Sequence, residues 1–151
     1  MNYQEWLNLL GRDSEDTDVK VVLQKRGIKS VPPIKKDELD TRVQLDDAML
    51  IFSTAELFPS RSSGGDGVSV LSGIILPLKG YEWGEYKGEL PLKLQRTDSQ
   101  KILRQRFGEP LQNNERFRWD EWEIDGLLTR VTYAKGDGLL SAISLKLPKE
   151  A

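Results

Sequence analysis

Neither cysteine nor histidine occurs anywhere in this chain of 151 residues. Without cysteine there are no disulfides, no thiolate nucleophiles and none of the usual thiolate zinc sites. Without histidine the chain lacks the commonest general acid or base near neutral pH. Long apolar runs are missing too, and no window approaches the length of a membrane span. The start, MNYQEWLNLLGRDSEDTD, has no basic opening, apolar centre or small-residue cleavage site of a signal peptide. Lys and Arg number 22 against 24 Asp and Glu, a net charge of -2, so no excess of cations draws the chain to DNA or RNA. These absences predict a cytoplasmic, non-catalytic protein with no cofactor, no metal, and neither membrane nor nucleic acid among its partners. Its oligomeric state is left open.

What is present is a globular composition, with 38% hydrophobic and 30% charged residues. Trp6, Leu7, Leu9 and Leu10 give an apolar face to a helix over residues 3–10, which Gly11 stops. A second helix is expected from Thr17 to Arg26, capped by Asp16 or Thr17 and ended by Gly27. Pro32 and Pro33 mark residues 28–41 as loop, and residues 42–53 read as a hairpin turning at Asp46-Asp47. Val68 to Leu78 is nearly continuous apolar sequence, which implies a strand buried on both faces. Later, Thr97 and Gln100 form an apparent capping box for a helix ending at Gly108. Strands FRWDEWEI (117–124), LLTRVTY (127–133) and LLSAISL then make a meander with turn residues between them.

The two halves resemble each other. Thr17-Asp18, Leu23 and Arg26 match Thr97-Asp98, Leu103 and Arg106 at an offset of roughly eighty residues. Leu45-Asp46-Asp47 matches Ile124-Asp125-Gly126 at nearly the same offset, and LSGIIL (71–76) matches LSAISL (140–145) at one about ten residues shorter. The long SRSSGGDG connection in the first half accounts for the difference. The expected fold class is therefore α+β, with two tandem helix-plus-three-strand repeats forming an antiparallel sheet covered by helices on one side. The repeats would occupy residues 1–80 and 92–151, joined by a linker at 81–91. Ile75 in the first copy is Ser144 in the second, which predicts that the later strand shows water one face near its end.

Several motifs admit a functional and a structural interpretation. Gly64-Gly65-Asp66-Gly67 lacks the Gly-Lys-Ser/Thr and the helix of a phosphate loop, so a loop tip fits better. Asp13, Asp16 and Asp18 lack the glycine and distal glutamate of a calcium loop and suit a helix start instead. Glu121 and Glu123 share one strand face, where solvent would leave their acidity ordinary. Two clusters mix aromatics with acids: Tyr81, Glu82, Trp83, Glu85 and Tyr86 in the glycine-rich joint, and Asp120, Glu121 and Glu123 beside Trp119 and Trp122. Such mixtures suit a protein interface, where aromatics anchor and charges steer. The eight residues Tyr81, Glu82, Trp83, Glu85, Tyr86, Asp120, Glu121 and Glu123 are the candidate partner-binding set.

The second half also carries a family resemblance. Leu90-Pro91-Leu92, Phe107-Gly108-Glu109-Pro110, Trp119 or Trp122, Tyr133 and the run Leu145 to Pro148 resemble the small α+β unit of BamE-type lipoproteins. The β-lactamase inhibitor protein holds two such units in tandem. The joint Tyr86-Lys87-Gly88-Glu89-Leu90-Pro91 is similar to one found in immunity proteins of bacterial polymorphic-toxin and contact-dependent growth inhibition systems. The resemblance implies an immunity protein that binds and occludes a cognate toxin domain, with a basic nuclease as one candidate target. A BamE-like scaffold of the cell envelope is the alternative it implies, and the missing lipobox cysteine counts against that.

Overall fold

A computed structural model describes residues 2–62, 64–81 and 83–150. Three helices, α1 (Tyr3–Leu9), α2 (Thr17–Lys25) and α3 (Gln100–Phe107), accompany seven strands. The strands are β1 (Asp40–Gln44), β2 (Met49–Thr54), β3 (Ser69–Pro77), β4 (Gln112–Asn114), β5 (Trp119–Ile124), β6 (Leu127–Tyr133) and β7 (Leu140–Lys146). They form one open antiparallel sheet in the order β1-β2-β3-β7-β6-β5-β4. The α+β class and antiparallel sheet follow expectation.

The helices start where side chains satisfy their free amides. Asn2 and Glu5 close a reciprocal capping box on α1, and the Asp16 carboxylate accepts from the amides of Asp18 and Val19 on α2. At α3 the cap is Ser99, not Thr97. Residues Gln95 to Asp98 are already closed into a turn of their own: the Asp98 amide donates to the Gln95 carbonyl, and the Gln95 amide to the Asp98 carboxylate. That turn takes Thr97 away from the helix start.

The buried helix residues Trp6, Leu9, Val19, Leu23 and Leu103 join a single core cluster with the sheet. Paired residues such as Val43–Leu50, Leu50–Ile74, Ile74–Leu145 and Val131–Ile143 bring their side chains to that cluster, as alternation requires. The intervening positions face the other way. There Phe58, which follows a single 3₁₀ turn at Ala55–Leu57, is buried and the strand residues Ile51 and Val70 are buried too. The final residues cross over the same region, since the Glu150 amide donates to the Leu57 carbonyl and its carboxylate accepts from the Ser60 amide.

β3 is an interior strand beside the middle strand β7, with every residue buried except Ile75. The contrast expected between Ile75 and Ser144 is reversed. The two are direct neighbours across the β3–β7 ladder, and it is Ser144 that is buried. Its short side chain sits between the longer Ile75 and Arg130 on the flanking strands and is shaded by them.

Two β-bulges interrupt the sheet, one between Ile51 and Phe52 and one between Thr132 and Tyr133; the expected three strands after the joint are four, because Gln112–Asn114 adds β4 beside β5. At each, the unpaired residue on the neighbouring strand is a serine. The Ser72 hydroxyl donates to the Ile51 carbonyl at 3.2 Å, and the Ser141 hydroxyl to the Thr132 carbonyl at 3.2 Å. An extra residue in a ladder leaves a backbone group short of a partner, and a serine hydroxyl supplies one locally. The ends of the β3–β7 ladder also match, with Leu78 N donating to Ser141 O and Leu147 N to Ser72 O, both at 2.8 Å.

Ile74→Ala should lower unfolding free energy by about 3 kcal/mol, because it empties the centre of the core. Ile75→Ala, on the opposite face, should cost less than about 1 kcal/mol. Urea denaturation of both variants measures the difference.

Candidate functional site

The glycine-rich segment that connects β3 to α3 is built into the fold. The Glu85 amide donates to the Asp46 carbonyl and the Tyr86 amide to the Pro77 carbonyl, so the segment runs along the β1–β2 turn and the end of β3. Gly84 sits so close to that turn that a Cβ would meet the Asp46 carbonyl oxygen at 2.1 Å, which restricts this position to glycine. Tyr86 is buried; its hydroxyl donates to the Glu89 carbonyl at 2.7 Å and accepts from the Tyr3 amide at 3.1 Å. A side chain at Gly88 would collide with that hydroxyl.

The same segment walls a groove of about 1170 Å³. The end of α2 supplies Val22, Lys25 and Arg26, the β1–β2 turn supplies Asp46 and Asp47, and α1 supplies Glu5. Arg26 bridges Asp46 and Asp47, each at 2.6 Å, and its pKa is raised, chiefly by the hydrogen bond to Asp47. Tyr81 and Trp83 stand on the remaining wall in an edge-to-face pair with centroids 5.8 Å apart. Both rings reach solvent, whereas Tyr86 presents little surface. Thus Tyr81, Trp83 and Glu85 reach the groove as a group, and Tyr86 serves as their anchor. Glu82 lies outside the described residues.

The second candidate cluster divides differently. Asp120 is fully buried on the core side of β5. Arg104 of α3 grips its two oxygens at 3.0 and 2.7 Å, the Tyr133 hydroxyl donates at 3.0 Å, and Gln100 approaches at 3.5 Å. A buried carboxylate so fully bonded ties the helix to the sheet. Glu121 faces the opposite side and is also buried, contrary to the solvent contact expected of it. Its carboxylate accepts from Arg130 at 3.2 Å, and the Arg130 guanidinium lies 3.7 Å from the centre of the Trp119 ring. Of the three acids only Glu123 is exposed. Trp122 is in the core, donating to the Gly108 carbonyl, and Trp119 is half-buried on the other face.

No family model, curated protein or solved structure matches this chain. The site is therefore judged on geometry. Its charges are mixed, with the acids Glu5, Asp46, Asp47 and Glu85 and the bases Lys25, Arg26 and Lys87 in its lining. Among the described residues no cluster of three His, Cys, Asp or Glu side chains is arranged to hold a metal. The loop through Gly64, Gly65 and Gly67 precedes β3 rather than a helix. Sequence reading missed the groove's far wall, because Arg26 and Asp46 carried only helix-end and turn signals.

Asp120→Ala should cost about 3 kcal/mol or more by leaving Arg104 and Tyr133 without their shared partner, whereas Glu123→Gln should change stability by less than about 0.5 kcal/mol. Chemical denaturation distinguishes them.

Burial, and then the charge of Asp120, push the Tyr133 pKa well above its usual 10.0. The folded state thus holds this proton more tightly than the unfolded state. Its stabilising contribution is complete below pH 10 and falls as pH rises beyond the unfolded value. Tyr86, raised chiefly by burial, adds to the same alkaline decline. Stability measured from pH 8 to 11 should fall less steeply in Tyr133→Phe than in the parent.

Proposed function

We propose that this protein is a non-catalytic inhibitor of the immunity type, which binds a cognate toxin domain through the groove and neutralises it by stoichiometric occlusion in the cytoplasm. The carrying observation is the Tyr81–Trp83 pair, held at a concave, mixed-charge surface by a segment anchored through Tyr86. Aromatic side chains fixed in advance lose little entropy on binding and contribute much contact area. The mixed charge of the groove suits a partner presenting both signs, so a basic nuclease is one member of a wider target class.

The proposal includes an internally duplicated scaffold. Its support is the β3–β7 register. Exchanging each residue for its counterpart in the LSGIIL and LSAISL alignment turns the Gly73–Lys146 pair into Pro77–Ala142. It likewise turns Ile74–Leu145 into Leu76–Ile143 and leaves Ile75–Ser144 unchanged. The two bulges and their serine hydrogen bonds fall at counterpart positions as well. Such agreement fits two related units meeting about a two-fold axis. The resemblance to tandem inhibitor and immunity proteins agrees with this arrangement, and all three helices would then cover the same face.

Purification together with the toxin domain encoded beside this protein tests the reading. A one-to-one complex that abolishes toxin activity is expected, and Tyr81→Ala or Trp83→Ala should weaken it at least about tenfold. Absence of binding, or binding that leaves the toxin active, overturns the proposal.

A further inference from the structure

The sheet face opposite the core cluster carries a row of residues that complements itself when reversed. Arg42, Ile51, Gly73, Lys146, Leu128 and Glu123 follow one another across β1, β2, β3, β7, β6 and β5, each paired to the next. Arg42 and Glu123, at its two ends, are both exposed. Neither joins an ion pair among the described residues. The next place in from each end is aliphatic. Gly73 keeps the middle low, since a Cβ there would meet the Lys146 Cγ at 2.8 Å.

A cation at one end of a row and an anion at the other let a surface pair with its own copy. In a two-fold interface residue i of one protomer meets residue j of the other, and j meets i. Let a second copy turn about an axis parallel to the strands, between β3 and β7, and lie on this face. Arg42 then stands opposite Glu123 of the second copy, Ile51 opposite Leu128 and Gly73 opposite Lys146. Rotation keeps the hand of the twist, so the two sheets stay aligned as they stack. We propose that this face is the interface of a two-fold homodimer, closed at its rim by two Arg42–Glu123 pairs formed between the copies.

The surface between the rims suits that occupant. Met49, Ile75, Leu128 and Trp119, all half-buried, supply apolar area on the same face. Glu121 accepts from Arg130 at 3.2 Å, so that pair enters the interface already formed. Lys146 lies beside the axis. Burial, then Arg130 and Arg42, lower its pKa against the opposing charges of Glu121 and Asp40, so it gives up its proton more readily than a free lysine as it is covered. None of these residues lines the groove, which stays free for another partner. Strands about 4.8 Å apart make a six-strand row about 24 Å long, and with the two rows beyond it, toward Trp119, the patch covers roughly 500 Å² per copy. An interface that small belongs to weak, reversible association, with a dissociation constant on the order of 100 µM.

Sedimentation equilibrium of the whole chain tests this, over loading concentrations from about 20 µM to about 1 mM, the range in which weak interfaces half-dissociate. A monomer–dimer equilibrium is expected. Arg42→Glu sets like charges against each other at both rims, and so does Glu123→Arg. Each variant alone should weaken the dimer at least about tenfold. An equimolar mixture of the two should dimerise as the parent does, because one then carries acids at both ends of the row and the other carries bases. That recovery also shows that both variants are folded. A chain that stays monomeric at every concentration leaves the face to a different partner and overturns the proposal. So does a dimer that survives both single substitutions, a mixture that remains monomeric, or a dimer that Trp83→Ala abolishes. The measurement uses no toxin, so the reading of the groove keeps its own separate test.

Discussion

The antiparallel pairing of β3 with β7 is the contact on which the rest of the molecule depends. On one side of it stand β1 and β2, on the other β6, β5 and β4, and among the described residues no other strand pair connects the two groups. If that ladder opened, two small sheets would each expose the main-chain edge and the apolar face of a central strand. Each would keep only part of the one core cluster that the whole sheet and all three helices share. Joined, they share one core, into which α1, α2 and α3 all insert side chains. The serine at each bulge matters for the same reason. By bonding the carbonyl opposite, it lets a ladder carry an irregular residue without leaving a buried acceptor unmet.

The candidate groove inherits its geometry from this arrangement. The chain leaves β3 at Pro77 and must travel to α3, and it does so against the β1–β2 turn. Main-chain hydrogen bonds from Glu85 and Tyr86, close approach at Gly84, and the buried Tyr86 ring fix that path. Tyr81 and Trp83 are thus carried on a connection with few degrees of freedom. The sheet's other face offers a contrasting chemistry, with charge set among half-buried apolar groups, so the molecule presents two surfaces suited to different partners.

Much of the fold was legible because its signals are local. The glycines after α1, α2 and α3, the Asp125-Gly126 turn and the continuous apolar β3 all carry their structure in a few residues. β4 was missed because Gln112-Asn113-Asn114 has no apolar alternation, and its place depends on pairing with β5. FRWDEWEI starts two residues late as a strand, since Arg118 takes a left-handed φ of 59° in the β4–β5 connection. The candidate site was half legible. Aromatics near acids can be read from sequence, but which acid is buried cannot. Asp120 and Glu121 are adjacent in the chain and answer to different arginines on opposite faces. That choice is made by α3 and β6, whose approach is a property of the whole fold.

One consequence follows from the two strands at the margins of the sheet. β1 presents Asp40, Thr41, Arg42 and Gln44 around a single buried valine, and β4 is three amide side chains long. Marginal strands invite other chains to add to them, and short length together with charge discourages it. The apolar neighbour of β4, the exposed Phe117, lies beneath the Arg116 guanidinium at 5.4 Å. A sheet with so apolar a middle is thereby kept from lengthening into a polymer at either end, leaving its faces rather than its margins open for association.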